Sequence, residues 1–264
     1  MKKIIAVLLA VAMLLAFAAC GAKNKEDTTT ATDSDLAYIM DKGTLVVGIT
    51  DYAPMDYKAD DGSWTGFDAE FAEAVGEKLG VKIEFVEIDW DNKFLELKTK
   101  SIDCIWNGMT ITDEVKNNTN CSDAYAKNEQ VVVVAADKAA EIKSVDDLKV
   151  LTFAVEKGSA GESAAEEAGL NTTAVQNQTN ALLEVKSGSV DGCIIDSTMA
   201  DTMTGEGTSY AELAKSISLT KEEYGIGCRI DSDLTAKLNT YISEMKADGT
   251  LQALADKYEI ALAD

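Results

Sequence analysis

Two successive rounds of strand and helix signals constrain this chain more than any other feature. Residues 45–49 form a short continuous apolar run beside glycines, the pattern of a buried strand. After Gly66, the residues Phe67, Phe71, Ala74, Val75 and Leu79 recur at helical spacing and stop at Gly80. Residues 81–86 alternate as a strand, Phe94, Leu95 and Leu97 mark a second helix, and residues 102–106 make the next strand. The pattern then starts again. Strands are predicted at 131–135, 151–155 and 192–195, with helices at 162–168 and 179–187. Leu234, Leu238, Tyr241, Ile242 and Met245 set a terminal amphipathic helix, followed by another apolar stretch at 251–258. Alternation of this kind predicts an α/β fold in two lobes, with the chain crossing between them near Val131 and again near 219–224. A cleft between two lobes suits capture of a small molecule.

The first residues belong to a different regime. Lys2 and Lys3 precede an apolar run from Ile4 to Phe17, then two alanines and Cys20. A basic start, a short apolar stretch and small residues before a cut site make a secretory signal over 1–19. The run is too short to favour a spanning helix. Cys20 followed by Gly21 resembles the lipobox of bacterial lipoproteins, with Phe17 where leucine is commoner. That resemblance implies acylation of Cys20 and anchoring on the extracytoplasmic face of the membrane. The polar, Thr-rich stretch up to residue 35 is expected to act as a flexible tether.

Composition removes whole classes of function. The formal net charge is −22, which repels nucleic acid. There is no histidine, so the commonest general base, the commonest metal ligand and the Ser-His and Cys-His nucleophile pairs are absent. No metal constellation and no cofactor are expected. Cys104, Cys121, Cys193 and Cys228 form no CxxC pair, and their spacing leaves bridges and free thiols equally open. The turn Lys157-Gly158-Ser159-Ala160-Gly161 lacks the spacing of a nucleotide-binding loop.

Eight segments occur in the order found in amino-acid-type solute-binding proteins of ABC importers. They are GTLVVG at 43–48, YAPMDY at 52–57, GFD at 66–68, NGMTIT at 107–112, CSDAY at 121–125, GSAGE at 158–162, KSGSVD at 186–191 and YGIG at 224–227. The chain resembles that family over residues 36 to 260. The resemblance implies a two-lobed type II periplasmic binding protein fold, with one lobe at 36–130 and 220–264 and the other at 131–219. It implies a monomer that binds a small polar amino acid or related solute and delivers it to a membrane permease. It also assigns roles to residues. Tyr52 and Trp90 would sandwich the solute side chain. Asn107, Gly108 and Thr110 would hold its amino and carboxylate ends. Ser159 and Ala160 would offer backbone N–H groups to a carboxylate at a helix start, where Ser159 and Glu162 also read as a capping box. Asp196 would take the ammonium group, with Asp51 as a weaker candidate. Asp68 is expected to serve its own helix dipole.

One departure limits the carry-over. In the family, TITxxR places an arginine against the solute carboxylate. Here residues 110–114 are followed by Val115, and Arg229 is the sole arginine. Glu156 stands where the family has an apolar or neutral residue. Either the carboxylate is held by backbone N–H groups with Thr110 and Lys116, or the solute is a cation in a cage of Tyr52, Trp90, Glu156, Asp51 and Asp196. An enzymatic reading would need Glu156, Asp196 or Lys116 as the acid or base. A sensing role differs from transport only in the partner.

Overall fold

The computed structural model describes residues 34–264, so the predicted signal, Cys20 and the tether up to residue 33 lie outside the described residues. The elements open with α1 Asp35–Lys42, β1 Thr44–Ile49, a small hairpin of β2 Tyr57–Lys58 and β3 Trp64–Thr65, α2 Phe67–Leu79 and β4 Lys82–Glu87. A 3-10 turn, Trp90–Asn92, runs into α3 Lys93–Lys98, followed by β5 Cys104–Thr110, α4 Asp113–Asn118, β6 Asn120–Cys121 and β7 Ala126–Asn128. Next come β8 Gln130–Ala135, α5 Ala136–Ala139, β9 Thr152–Glu156, α6 Ala160–Glu167, β10 Asn171–Val175, α7 Gln178–Ser187, β11 Gly192–Asp196, α8 Ser197–Met203 and β12 Leu213–Ser218. The chain ends with β13 Glu222–Cys228, α9 Leu234–Ala247 and α10 Thr250–Tyr258.

These strands make two principal sheets. The first has the order β4-β1-β5-β13-β6, with β7 also pairing β13. Its β1 runs parallel to β4 and β5, whereas β13 runs antiparallel to β5. The second has the order β10-β9-β11-β8-β12, with β8 antiparallel to β11. The chain leaves the first sheet after Asn128, enters the second at Gln130, and returns between Ser218 and Glu222. Parallel strands joined by helices must be covered on both faces, which is why β1 and β5 carry nearly continuous apolar side chains. Leu45, Val47, Ile49, Ile105 and Trp106 are fully buried. Phe71 of α2 meets Trp106 edge-on at 4.8 Å between ring centroids.

Helix ends follow local chemistry. Gly80 closes α2 in the left-handed conformation (φ 74°). Thr112 caps α4 by accepting from the Val115 amide. Ser159 caps α6 by accepting from the Glu162 amide at 3.1 Å, and the Glu162 carboxylate accepts in return from Gly158 N at 2.7 Å. The four inner cysteines are free thiols. Cys104 and Cys228 sit opposite each other on β5 and β13, and burial raises the pKa of both.

Candidate functional site

The ends of the two sheets face each other across a cavity. The first-sheet wall comprises Trp90, Lys93, residues 107–110, Thr112, Glu114 and Val115, and the second comprises Gln130, Glu156, residues 158–160, Ser163, Gln178 and Asp196. The space between the walls is about 40 Å³, enough for roughly three waters. Contacts across the gap hold the walls together. The Tyr52 hydroxyl bonds Thr198 Oγ1. Lys93 Nζ donates to the Gly158 carbonyl at 2.8 Å. Lys157 pairs with Asp91 at 2.9 Å. Gly158, at φ +72°, lies so close that a Cβ there would be 3.0 Å from Asp91 Cα.

Eight of the ten predicted solute contacts line the cavity: Trp90, Asn107, Gly108, Thr110, Glu156, Ser159, Ala160 and Asp196. Tyr52 and Asp51 do not. The Tyr52 ring is fully buried behind the wall, with its hydroxyl 2.6 Å from that of Tyr224. It abuts Gly108, where a Cβ would fall 2.6 Å from the ring. In this arrangement Tyr52 packs behind Gly108 and links the two walls through Thr198. Asp51 is half-buried, and its carbonyl accepts from Thr179 Oγ1 at 3.5 Å. Lys116, the proposed stand-in for the missing arginine, borders a separate depression with Ile111, Lys127 and Glu129. Asp68 does more than serve its helix dipole, for its carboxylate accepts from Gly108 N at 2.6 Å and from the Tyr125 hydroxyl at 2.8 Å.

Several polar groups expected to hold the solute are committed to the protein. Asn107 spends its side chain on Thr50, accepting from the amide at 2.9 Å and donating to Oγ1 at 2.8 Å. Thr110 Oγ1 donates to Glu222 Oε1 at 2.8 Å. The Asp196 carboxylate accepts from Asn128, Gln130, Tyr224 and Gln178. Gln130 Nε2 is 2.7 Å from both Asp196 and Glu222, so these amides tie the two chain crossings together. Burial, then the charge of Glu222, raises the Asp196 pKa against those hydrogen bonds.

Two charged residues stand apart. Lys93, three residues after Trp90, is only 4% exposed. Its Nζ donates to the carbonyls of Trp90 and Gly158 and lies 5.0 and 4.7 Å from the ring centroids of Trp90 and Phe94. Among the described residues it has no carboxylate oxygen within 4.0 Å. Burial lowers its pKa, against the pull of Glu114, Glu156, Asp91 and Glu162. Glu156, at the end of β9, is 3% exposed, and its Oε1 has no hydrogen-bond partner among the described residues. Burial, then repulsion from Asp196, pushes its pKa up to about 8, with Lys93 and a hydrogen bond from Gln178 opposing. The TITxxR motif gives no sign of Lys93, which lies on a different helix from Val115. The available signal was a lysine one helical turn from Trp90, on the same face.

Two α/β halves closing on a polar cavity define a protein that encloses a small solute. The model for bacterial extracellular solute-binding proteins, family 3, matches residues 45–260, and the chain belongs to that family. It is 32% identical over 98% of its length to the arginine-binding extracellular protein ArtP of Bacillus subtilis (strain 168), covering 98% of that protein. Among solved structures, an ancestral amino acid-binding protein, described as a precursor of cyclohexadienyl dehydratase, matches with TM-score 0.78 and 36% identity over 85% of this chain and 99% of that one. An ABC uptake transporter substrate-binding protein from Streptococcus pneumoniae with bound histidine matches with TM-score 0.78 and 30% identity, covering 87% and 97% of the two chains. The fold is thus the two-lobed one of periplasmic amino-acid-binding proteins, and the family's role is extracellular solute capture.

Proposed function

We propose that this protein captures an amino acid outside the cytoplasm and hands it to the permease of an ABC importer. The observation that carries this is the cavity walled by both lobes, with a buried ammonium on one side and a buried carboxylate on the other. Relatives named for arginine binding, and a neighbour with bound histidine, support an amino acid as the solute class. The lobes are taken as 36–130 with 220–264, and 131–219. Their hinge is the pair of crossings at residue 129 and at 219–221, where Leu219 N donates to the Gln130 carbonyl at 2.8 Å. Solute touching both lobes would favour the closed state over the open one. Acylation at Cys20 would hold the protein at the membrane, beside its permease, as a monomer on a tether.

Thermal unfolding of the full chain against a panel of amino acids, amines and betaines tests this. A solute at about a hundred times its Kd stabilises the folded state by about 2.7 kcal/mol, which raises the midpoint by roughly 5–10 °C. A shift with α-amino acids, recovered chemically unchanged, supports capture. Shifts with amines alone would retire the amino acid, and conversion of the solute would retire a pure binding role.

A further inference from the structure

We infer that Lys93 and Glu156 are the two charged contacts that recognise the solute, so that the site takes molecules bearing both a carboxylate and an ammonium. The inference rests on the amino-acid reading of the cleft and goes further by naming which residues read the two charges. The sequence already offered Glu156 as one acid of a cage for a cationic solute; it offered no role for Lys93, and it left the carboxylate partner unassigned to any buried charge.

Three observations converge. An ammonium has three N–H donors and no acceptor. Lys93 gives two hydrogen bonds to carbonyls and, among the described residues, meets no carboxylate at ion-pair distance. A buried cation of this kind is costly unless an anion joins it. Glu156 presents the complementary defect, a buried carboxylate oxygen with no donor. Finally, both border the same small cavity, Lys93 from the start of α3 and Glu156 from the end of β9, one on each lobe. One solute with opposite charges satisfies both groups at once and ties the lobes together.

The other candidates for these contacts are occupied or misplaced. Asp196 already accepts from four side-chain donors, so it offers the ammonium less than Glu156 does. Val115 sits on the wall at the first turn of α4, where the family arginine would begin, and supplies no charge. Lys93 approaches the same wall from α3 and takes over the carboxylate. The first-turn amides of α6, beside Ser159 and Ala160, add dipole to the same negative group.

Calorimetric titration of the full chain with the tightest amino acid from the panel tests the assignment, in wild type, K93Q, K93R and E156Q. Losing one charge-assisted contact corresponds to a fall in affinity of about 10- to 100-fold. K93Q and E156Q should each lose that much, and K93R should regain part of it. Both neutral variants should melt at or above the wild-type temperature, because each removes a buried group whose charged form lacks a partner. The α-amino amide of the same solute, with its carboxylate blocked, should bind wild type and K93Q alike. Unchanged affinity in K93Q and E156Q would overturn the inference while leaving amino-acid capture intact. A lowered melting temperature together with weakened binding, unrescued in K93R, would make Lys93 structural and equally overturn it. Failure of wild type to bind any amino acid would instead defeat the underlying reading.

Discussion

Arg229 and Lys93 are both buried cations on the first lobe, yet they are treated in opposite ways. Arg229 donates to Asp35 at 2.9 Å, to Asp103 at 3.2 Å and to the carbonyls of Leu97 and Ile102. All three nitrogens of its guanidinium donate inside the protein. Lys93 has two carbonyls and, among the described residues, no carboxylate at ion-pair distance. The second lobe repeats the contrast with carboxylates on neighbouring strands: Asp196 is saturated by amides and a phenol, whereas Glu156 keeps a bare oxygen. Burial alone therefore does not mark a functional charge. What marks it is burial without a partner, at a wall that a solute can reach.

The largest expected effect breaks the structural side of the contrast. Arg229→Ala leaves Asp35 and Asp103 short of their countercharge and should cost about 3–5 kcal/mol in urea unfolding, with solute affinity of the folded fraction unchanged. A variant as stable as wild type would show that its ion pairs do not hold the lobe together.

The next effect sharpens the solute-facing side. Glu156 has a folded pKa of about 8 against an ordinary 4.5. A raised carboxylate favours folding in its neutral form. That contribution is fully present below about pH 4.5 and is lost as pH climbs through about 8. The solute-free protein should thus lose up to a few kcal/mol between pH 5 and pH 9, at about 1.4 kcal/mol per pKa unit. Asp196 and Asp68 are raised too and act in the same direction, so the diagnostic is the part that vanishes in E156Q. Because an ammonium favours ionised Glu156, solute binding should release protons near neutral pH, and affinity should rise towards pH 8. A pH profile identical in wild type and E156Q would remove Glu156 from the account.

Smaller effects concern closure. Gly158→Ala meets both a left-handed backbone and Asp91 across the gap. It should cost about 1–2 kcal/mol, and part of that should appear as weaker solute binding, since the Asp91 contact exists only when the lobes meet. Loss confined to stability would place the strain in the open form as well. Lys157→Ala removes an exposed pair with Asp91 and should change affinity least of all, an effect erased by salt.

Much of the fold was legible because buried parallel strands and amphipathic helices leave periodic signals. The run at 45–49 became β1, and the helix beginning at Phe67 stops at Gly80 as the glycine indicated. The hairpin β2–β3 and the short β6 and β7 carry two or three residues each, too few for any period to register. The lining of the cavity was legible in outline, as Trp90, Glu156, Ser159 and Ala160 all border it. Its chemistry was not. Whether Asp196 is free depends on Asn128, Gln130, Gln178 and Tyr224, from four separate elements. The burial of Tyr52 against Gly108 and Thr198 was not legible, because an aromatic beside a cleft and one behind its wall look the same in sequence. Lys93 looks like any surface lysine until its burial against Trp90 and Gly158 is known.

A crystal structure of the full chain with its amino acid bound is the most direct measurement. The account predicts closed lobes, the solute carboxylate within hydrogen-bond distance of Lys93 Nζ, and its ammonium against Glu156 Oε1. A solute whose carboxylate lies away from Lys93, with Glu156 Oε1 still lacking a donor, would contradict it.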